Sequence, residues 1–263
     1  MLMTKVSEIM TTTLVTIDKN SPIREALRLM KKKGISRLLV TSKGKIIGIV
    51  TERDLARRLG SEKERKLSDA HIYVSSCYTK ELITIEKDKD ISEAAKLMLK
   101  YGISSLPVVN EKSEVIGIVT KTDLIKALKD CKDSVEKWMR RKVTVLEEGA
   151  RVLEARKLML RKGIKRIPIV SGRKVVGIVT ERDIAMALGL FRKVAEGKQW
   201  DEKLRKIYVD QIMSKRVIKV RPSDTISKCV KLMLEKGISG LPVVNEKDEI
   251  VGIITKTDLL KIF

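Results

Sequence analysis

The sequence predicts an α/β fold built from four copies of one strand–helix–strand–strand–helix unit. Two short sequence signatures support this prediction, because each occurs four times. The glycine at the start of the first signature is followed after 17 or 18 residues by the threonine of the second signature in every copy. Self-similarity at a fixed period is typical of a repeated supersecondary unit, here about 55 residues long. A third observation, that the repeats alternate in type, predicts that the units form two pairs.

The first signature, here called the Gly-Ile signature, follows a helix-like segment and leads into a strand. Its copies are GISRLLV from Gly34, GISSLPVV from Gly102, GIKRIPIV from Gly163 and GISGLPVV from Gly237. The second, the Thr–Asp signature, leads from a strand into a helix. Its copies are GIVTERDLA from Gly48, GIVTKTDLI from Gly117, GIVTERDIA from Gly177 and GIITKTDLL from Gly252.

Each element of the unit has a local cause in the sequence. Short β-type runs such as LVTI and VTV predict the first strand. In repeat one, Ser21 and Pro22 predict the start of the first helix, apolar residues follow at helical spacing, and Gly34 predicts its end. RLLV, a short glycine turn and IIGIV predict a hairpin. The Thr–Asp signature then opens the closing helix.

The alternation of the Thr–Asp signature predicts the domain organisation. Repeats one and three share TERD, whereas repeats two and four share TKTD and a longer hairpin turn. A pair of units was therefore duplicated as a whole, which predicts two domains, residues 1–131 and 132–263. A unit of this size buries little surface by itself, so we expect the pair to be the folding domain.

Charge is the strongest feature of the composition. Fifty-six lysines and arginines against 34 aspartates and glutamates give a formal net charge of +22. Such a surplus predicts anionic partners, namely nucleotides, nucleic acid or an acidic protein. A surface of the thermophilic type explains many charges of both signs, but it does not explain the excess of one sign.

Several classes of protein are disfavoured by what the sequence lacks. No apolar run reaches the roughly 20 residues of a membrane helix, and the start does not resemble a signal peptide, so we expect a cytoplasmic protein and no membrane partner. Three scattered cysteines and one histidine predict no metal site. With no nucleophile–base pair and no phosphate loop, we expect neither enzymatic activity nor a catalytic cofactor.

The threonine and aspartate of the Thr–Asp signature allow two interpretations. Threonine at the N-cap with an acid three residues later is a capping box, which stabilises a helix by about 1 kcal/mol. A hydroxyl and a carboxylate one turn apart can also bind the vicinal hydroxyls of a ribose. The spacing by itself fits both. The residues concerned are Thr51 and Asp54, Thr120 and Asp123, Thr180 and Asp183, and Thr255 and Asp258.

The Gly-Ile signature differs between the two types of repeat. Small residues in the even repeats, Ser104, Ser105, Ser239 and Gly240, let a flat ring approach the backbone, and Ile103, Leu106, Ile238 and Leu241 can flank it. The odd repeats carry Arg37, Lys165 and Arg166 at the same place. These cations are either solvated surface charges or ligands of an anion.

Taken together, the two signatures resemble those of the CBS domain, named after cystathionine β-synthase. The resemblance covers residues of about 6–59, 74–128, 135–189 and 209–262. It implies two tandem pairs, called Bateman modules, each with a pseudo-twofold axis and two clefts that commonly bind AMP, ADP, ATP or S-adenosyl compounds. The four-copy arrangement is similar to that of the γ subunit of AMP-activated protein kinase and of stand-alone archaeal CBS proteins.

The resemblance also implies roles for individual residues. The ribose would be bound by the four threonine–aspartate pairs, and no residue would bind a metal. Arg37 would reach the phosphates of a nucleotide held at Asp123, and Lys165 with Arg166 those of one held at Asp258. Adenine would lie against Thr13, which precedes the first strand, and against Ile35, Ile103, Ser104, Ser105, Leu106, Pro107, Ile164, Ile238, Ser239, Gly240, Leu241 and Pro242.

The function implied is that of a regulatory sensor of adenosine nucleotides, used in energy sensing and read by a regulated protein partner. A homodimer is compatible with this reading. The alternative is a protein that binds RNA or DNA through its basic surface. That alternative is favoured by the net charge and disfavoured by an aromatic content of 3%, which leaves few side chains for base stacking.

Overall fold

The computed structural model describes residues 4–59, 71–194 and 206–263, and in it each repeat folds as a small α/β unit. The prediction of a mixed α/β fold is confirmed. Within these residues, repeats one to three each form a three-stranded sheet in which the first strand is parallel to the second and the second antiparallel to the third. Repeat four has a two-stranded sheet, and Val220 forms a parallel bridge to Val243 where the first strand would lie.

The first two repeats have closely similar elements. Repeat one contains α1 (Val6–Ile9), β1 (Thr16–Asp18), α2 (Ile23–Lys33), β2 (Arg37–Ser42), β3 (Lys45–Thr51) and α3 (Glu52–Leu59). Repeat two contains a 3-10 turn (Val74–Ser76), β4 (Ile85–Glu86), α4 (Ile91–Lys100), β5 (Ser105–Val109), β6 (Val115–Thr120), α5 (Lys121–Ile125) and a second 3-10 turn (Lys126–Leu128).

The last two repeats reproduce this order. Repeat three contains α6 (Val135–Trp138), β7 (Leu146–Glu147), α7 (Val152–Lys162), β8 (Arg166–Ser171), β9 (Lys174–Thr180) and α8 (Glu181–Val194). Repeat four contains a 3-10 turn (Val209–Gln211), α9 (Ile226–Glu235), β10 (Gly240–Val244), β11 (Ile250–Thr255), α10 (Lys256–Leu259) and a final 3-10 turn (Leu260–Ile262).

Helix α2 shows how closely local signals determine the boundaries. Gly34 follows its last residue with φ of +65°, the left-handed conformation that glycine adopts at no steric cost, so the predicted end is correct. The predicted start is wrong by one residue, because Pro22 occupies the N-cap position and the helix begins at Ile23. Proline has no N–H to leave unsatisfied at this position, so either placement satisfies the backbone.

The described residues pack into two compact units, each with its own aliphatic core. One unit comprises Met1–Leu14, Leu82–Val143 and Ile218–Phe263, and therefore holds the sheets of repeats two and four. The other comprises Val15–Glu81 and Thr144–Val217, with the sheets of repeats one and three. Packing thus groups alternate repeats, whereas the predicted domains follow the duplication along the chain and stay a prediction. None of the described helices is long and apolar enough to cross a bilayer.

In each repeat, a short segment precedes the first strand. This segment packs on the hairpin of the adjacent repeat in the sequence. We call it the leading segment. One residue of each leading segment forms an antiparallel bridge with the third strand of that neighbour, namely Thr11 with Ile118, Thr79 with Ile49, Arg140 with Ile253 and Ser214 with Ile178. Repeats one and two, and likewise repeats three and four, therefore exchange their leading segments.

The glycine that opens the Thr–Asp signature makes this contact sterically possible. A Cβ atom at Gly48 would lie 2.3 Å from the carbonyl oxygen of Thr79 and 2.4 Å from the ring of Tyr78. At Gly117 it would lie 2.6 Å from Sδ of Met10 and 3.2 Å from the backbone of Thr11. The recurrence of this glycine is therefore explained by the close approach of the leading segment.

We predict that Gly48→Ala destabilises the protein more than Gly117→Ala does. At residue 48 the added methyl group meets backbone and an aromatic ring, which gives an overpacking cost of about 2–3 kcal/mol. At residue 117 it mainly meets a flexible methionine, so about 1 kcal/mol is expected. Urea unfolding of both variants measures the difference. Equal, small losses would show that the leading segments shift readily and that the glycine has another cause.

Candidate functional site

The two signatures meet in space in every repeat. The first residue of the second strand pairs with the threonine at the end of the third strand, giving the pairs Arg37–Thr51, Ser105–Thr120, Arg166–Thr180 and Gly240–Thr255. The leading segment of the neighbouring repeat bridges the same third strand two residues before that threonine. Three chain segments thus converge at each Thr–Asp signature, and we call the resulting place a cleft.

The threonine and aspartate are hydrogen-bonded to each other in all four clefts. The threonine N–H donates to Oδ2 of the aspartate at 2.8–3.0 Å, and the threonine hydroxyl donates to the same oxygen at 2.6–2.8 Å. The capping interpretation is therefore correct. It leaves the ligand interpretation open, because the cap uses only Oδ2 and the other carboxylate oxygen is available for a different partner.

The environment of that second oxygen, Oδ1, divides the clefts into two kinds. In Asp123 it accepts a hydrogen bond from Nζ of Lys126 at 2.9 Å. In Asp258 it lies 3.1 Å from Nε of Arg140, which donates its hydrogen bond to Oδ2, and 3.7 Å from Nζ of Lys261. Both of these aspartates are buried, with Asp258 only 2% exposed. Asp54 and Asp183 are half-buried, and no described residue donates a hydrogen bond to Oδ1 of either. We call Asp54 and Asp183 the open carboxylates.

Arg140 is a residue that the sequence analysis missed. Thr11, Thr79 and Ser214 occupy the equivalent position in the other leading segments, so three clefts have a small hydroxyl where this one has a guanidinium. The signal was present in the sequence, since the segments IMT, CYT, WMR and IMS align when the repeats are superimposed. Its importance becomes visible only because Arg140 lies against Asp258, 118 residues away.

The basic residues of the odd repeats lie in one compact unit. The pKa of Lys165 is lowered to about 8, first because the ammonium group is removed from water. The positive charges of Arg37, Arg53 and Arg166 lower it further, while Glu181 opposes the shift. Arg37 comes from repeat one, whereas the other two predicted phosphate ligands, Lys165 and Arg166, come from repeat three. We call these three residues the basic cluster, to which two repeats contribute.

The predicted assignments of these cations to nucleotides remain predictions. Asp123 and Asp258 belong to the other compact unit, and the open carboxylates share a unit with the basic cluster. The sequence analysis paired Arg37 with a ligand at Asp123, and Lys165 and Arg166 with one at Asp258. The structure adds that the carboxylates of Asp123 and Asp258 already have cationic partners within their own unit.

The residues predicted to face adenine differ in how much of their surface is exposed to solvent. Leu106 and Leu241 are fully buried in the core, so only their backbone groups can contact a ring. Ser105, Pro107, Gly240 and Pro242 are also buried. Thr13 is exposed, and the remaining predicted residues, Ile35, Ile103, Ser104, Ile164, Ile238 and Ser239, are half-buried and retain accessible surface.

The described part of the chain contains no group of three or more histidine, cysteine, aspartate or glutamate side chains able to hold a metal ion. Its three cysteines are free thiols. The groups that the clefts present are hydroxyl, carboxylate, ammonium, guanidinium and backbone groups.

Comparison with known proteins gives a consistent result. The model of the CBS domain family matches residues 6–61, 74–130, 135–190 and 209–263. The chain is 31% identical to protein MJ1225 of Methanocaldococcus jannaschii over 268 residues, which cover 95% of each chain. The crystal structure of MJ1225, which has been proposed as an archaeal homologue of γ-AMPK, superimposes with a TM-score of 0.86 at 28% identity, covering 99% of this chain and 100% of that one.

A second solved structure extends the comparison. A protein from Pyrococcus horikoshii superimposes with a TM-score of 0.66 at 26% identity, covering 98% of this chain and 99% of its own. In both comparisons the likeness extends over nearly the whole of this chain and not over one repeat alone.

The lowered pKa of Lys165 predicts a pH-dependent contribution to stability. Below pH 8 the folded protein keeps a desolvated ammonium group, so replacement by glutamine should leave the melting temperature unchanged or raise it. Between pH 8 and the ordinary lysine pKa of 10.5 the unfolded chain binds a proton that the folded chain does not, so the wild type gains stability as the pH rises.

Melting of wild type and Lys165→Gln at pH 7 and pH 10 measures this effect. The variant should lose several degrees relative to wild type across that range. The exposed Lys112, changed to glutamine, is the matched control and should show a much smaller change. If both variants respond alike, Lys165 titrates as an ordinary surface lysine.

Proposed function

Because the chain belongs to the CBS-domain family, we propose that it is a regulatory protein that binds adenosine nucleotides in its clefts. The observation that carries the proposal is the pair of open carboxylates, Asp54 and Asp183. Each is held in place by a threonine through Oδ2, and Oδ1 remains able to accept hydrogen bonds. Among the described residues none donates to this oxygen, and a pair of vicinal hydroxyls, such as those of a ribose, supplies suitable donors.

The basic cluster supplies the complementary charge for a phosphate. Arg37 and Arg166 each pair with the threonine of their own repeat across the hairpin, one turn of helix from an open carboxylate. Guanidinium groups bind phosphate oxygens through two parallel hydrogen bonds, which favours a nucleotide over uncharged adenosine. Lys165 adds an ammonium group whose pKa a bound phosphate would raise, because the phosphate replaces part of the lost hydration.

Two further considerations support a regulatory role. MJ1225, which is similar along its whole length, has been proposed as a homologue of γ-AMPK. In addition, three chain segments, one of them from the neighbouring repeat, converge at each cleft, so a ligand that contacts all three changes how the leading segment is held on the hairpin. A ligand with different affinities for two arrangements shifts their populations, and a protein partner can read that shift. We assign the chain no catalytic step.

Nucleic-acid binding is the second candidate, supported by the net charge of +22. A salt titration separates the two functions, because binding to DNA or RNA weakens steeply with salt, whereas binding in a cleft depends on salt much less.

Replacement of both open carboxylates by glutamate tests the ribose role. Glutamate is the preferred acid at this position of a capping box, so Asp54→Glu with Asp183→Glu should keep the nucleotide-free melting temperature within about 2 °C. The added methylene group displaces the carboxylate from the diol by more than a hydrogen bond tolerates. AMP at 100 times its Kd stabilises a folded protein by about 2.7 kcal/mol, and the variant should retain less than half of the resulting shift.

The matched control is Asp90→Glu, which alters a carboxylate that caps α4 through the N–H of Ser92 and belongs to none of the threonine–aspartate pairs. It should leave the shift caused by AMP unchanged. If the double variant also shows an unchanged shift, the aspartates are caps only, and the proposed function loses its main support.

Arg140 generates a separate prediction about the number of sites. Because Asp258 already forms ion pairs with Arg140 and Lys261, we expect wild type not to bind a ribose at that aspartate. Lys261 also lies 3.7 Å from Oδ1 of Asp258, as Lys126 lies beside Asp123. Arg140→Thr with Lys261→Met removes both cations and gives this cleft the types of residue found beside Asp183, so the number of AMP molecules bound in calorimetry should rise by one. Arg140→Lys keeps the charge and should not change that number. Weaker binding in Arg140→Thr would instead identify Arg140 as a phosphate ligand.

A further inference from the structure

The two inner residues of the Thr–Asp signature alternate between repeats, and nucleotide binding does not explain why. They are glutamate and arginine in the odd repeats, at Glu52–Arg53 and Glu181–Arg182, and lysine and threonine in the even repeats, at Lys121–Thr122 and Lys256–Thr257. They occupy the first two positions of the closing helix, directly after the capping threonine. Only the outer threonine and aspartate take part in the proposed ligand site.

In the odd repeats the inner residues make two reciprocal ion pairs. Arg53 donates to Glu181, and Arg182 donates to Glu52. The first position of each closing helix therefore contacts the second position of the other. The two glutamate side chains are only 11% and 13% exposed. Each arginine also donates to a carbonyl oxygen of the opposite repeat, Arg53 to Gly163 and Arg182 to Ile35.

The even repeats use the same geometry with different groups. Nζ of Lys121 donates to the hydroxyl of Thr257 at 2.9 Å, and Nζ of Lys256 donates to the hydroxyl of Thr122 at 2.8 Å. Again the first position of one closing helix contacts the second position of the other. Both lysines are buried, with 7% and 8% of their surface exposed.

A mixed pair of one odd and one even repeat would bring unlike partners together. The arginine at the second position of the odd repeat would face the lysine at the first position of the even repeat, which places two cations side by side in a buried contact. The glutamate of the odd repeat would face a threonine and lose its guanidinium partner. Both changes are unfavourable, because a buried charge without an opposite charge keeps its desolvation cost.

We propose that the inner residues of the Thr–Asp signature determine which repeats pair through their closing helices, odd with odd and even with even. The discrimination lies mainly in the rejected combinations, as is usual where specificity depends on unfavourable alternatives. After a pair of repeats is duplicated, each repeat has three candidate partners on one chain. Two charge patterns leave one acceptable partner for each. This rule does not depend on any ligand.

Exchange of the inner residues in the full-length chain tests the rule. Lys121→Glu with Thr122→Arg gives repeat two the odd pattern, and its arginine then faces Lys256. We expect the melting temperature to fall by about 5 °C. Adding Lys256→Glu and Thr257→Arg gives both even repeats the odd pattern and recreates the two reciprocal ion pairs. This fourfold variant should recover most of the loss.

Additive losses of stability are the alternative outcome of this experiment. If the inner residues contribute independently of each other, the fourfold variant loses about twice as much as the twofold one, because effects at uncoupled positions add. That result would overturn the pairing rule. Lys112→Glu, in an exposed hairpin turn, produces the same change in net charge as the fourfold variant and should shift the melting temperature by less than about 1 °C.

A double-mutant cycle in the odd repeats gives an independent readout if the fourfold variant does not fold. Arg53→Glu and Glu181→Arg each place like charges together, whereas the two changes combined restore an ion pair with reversed polarity. The combined variant should be more stable than either single variant. Purely additive losses would contradict the proposal.

Discussion

The hydrogen bonds between threonine and aspartate at the start of each closing helix are the interaction on which the other features of the clefts depend. Each cap is worth about 1 kcal/mol, so it does not hold the protein together. What it does is fix the residue at which the helix begins. That choice places the inner residues at the first two helical positions, where they contact a second repeat, and it directs Oδ1 of the aspartate away from the cap.

The threonine–aspartate pair is common to the four clefts, but differences in the side chains around it make the clefts unequal. Cations beside the cap, Lys126 at Asp123 and Arg140 with Lys261 at Asp258, are enough to change a carboxylate from open to covered. Such divergence is easy after duplication, because a side chain at the edge of a cleft can change without disturbing the core. The leading segments cannot vary as freely, since their backbone lies against a glycine with no room for a Cβ atom.

The basic surplus of the chain is partly used inside the molecule. Lys121 and Lys256 are buried, and Arg53 and Arg182 bind glutamates and carbonyl oxygens of another repeat. Burial raises the pKa of Glu52 even though Arg182 opposes the rise, which shows how far this contact is removed from water. A high net charge is therefore not by itself an indication of nucleic-acid binding, because several of these cations stabilise contacts between repeats.

The sequence by itself determined the four repeats, the order of their elements and the threonine–aspartate contact. These features depend on residues close together in the chain, and the three-residue spacing of Thr51 and Asp54 brings their side chains together on any helix that begins there. Tertiary structure decided which repeats pack together, which leading segment lies on which hairpin and which carboxylates stay open. Arg140 meets Asp258 across 118 residues, and Arg53 meets Glu181 across 128. No local periodicity encodes such contacts, because they depend on how whole units pack to bury their apolar faces.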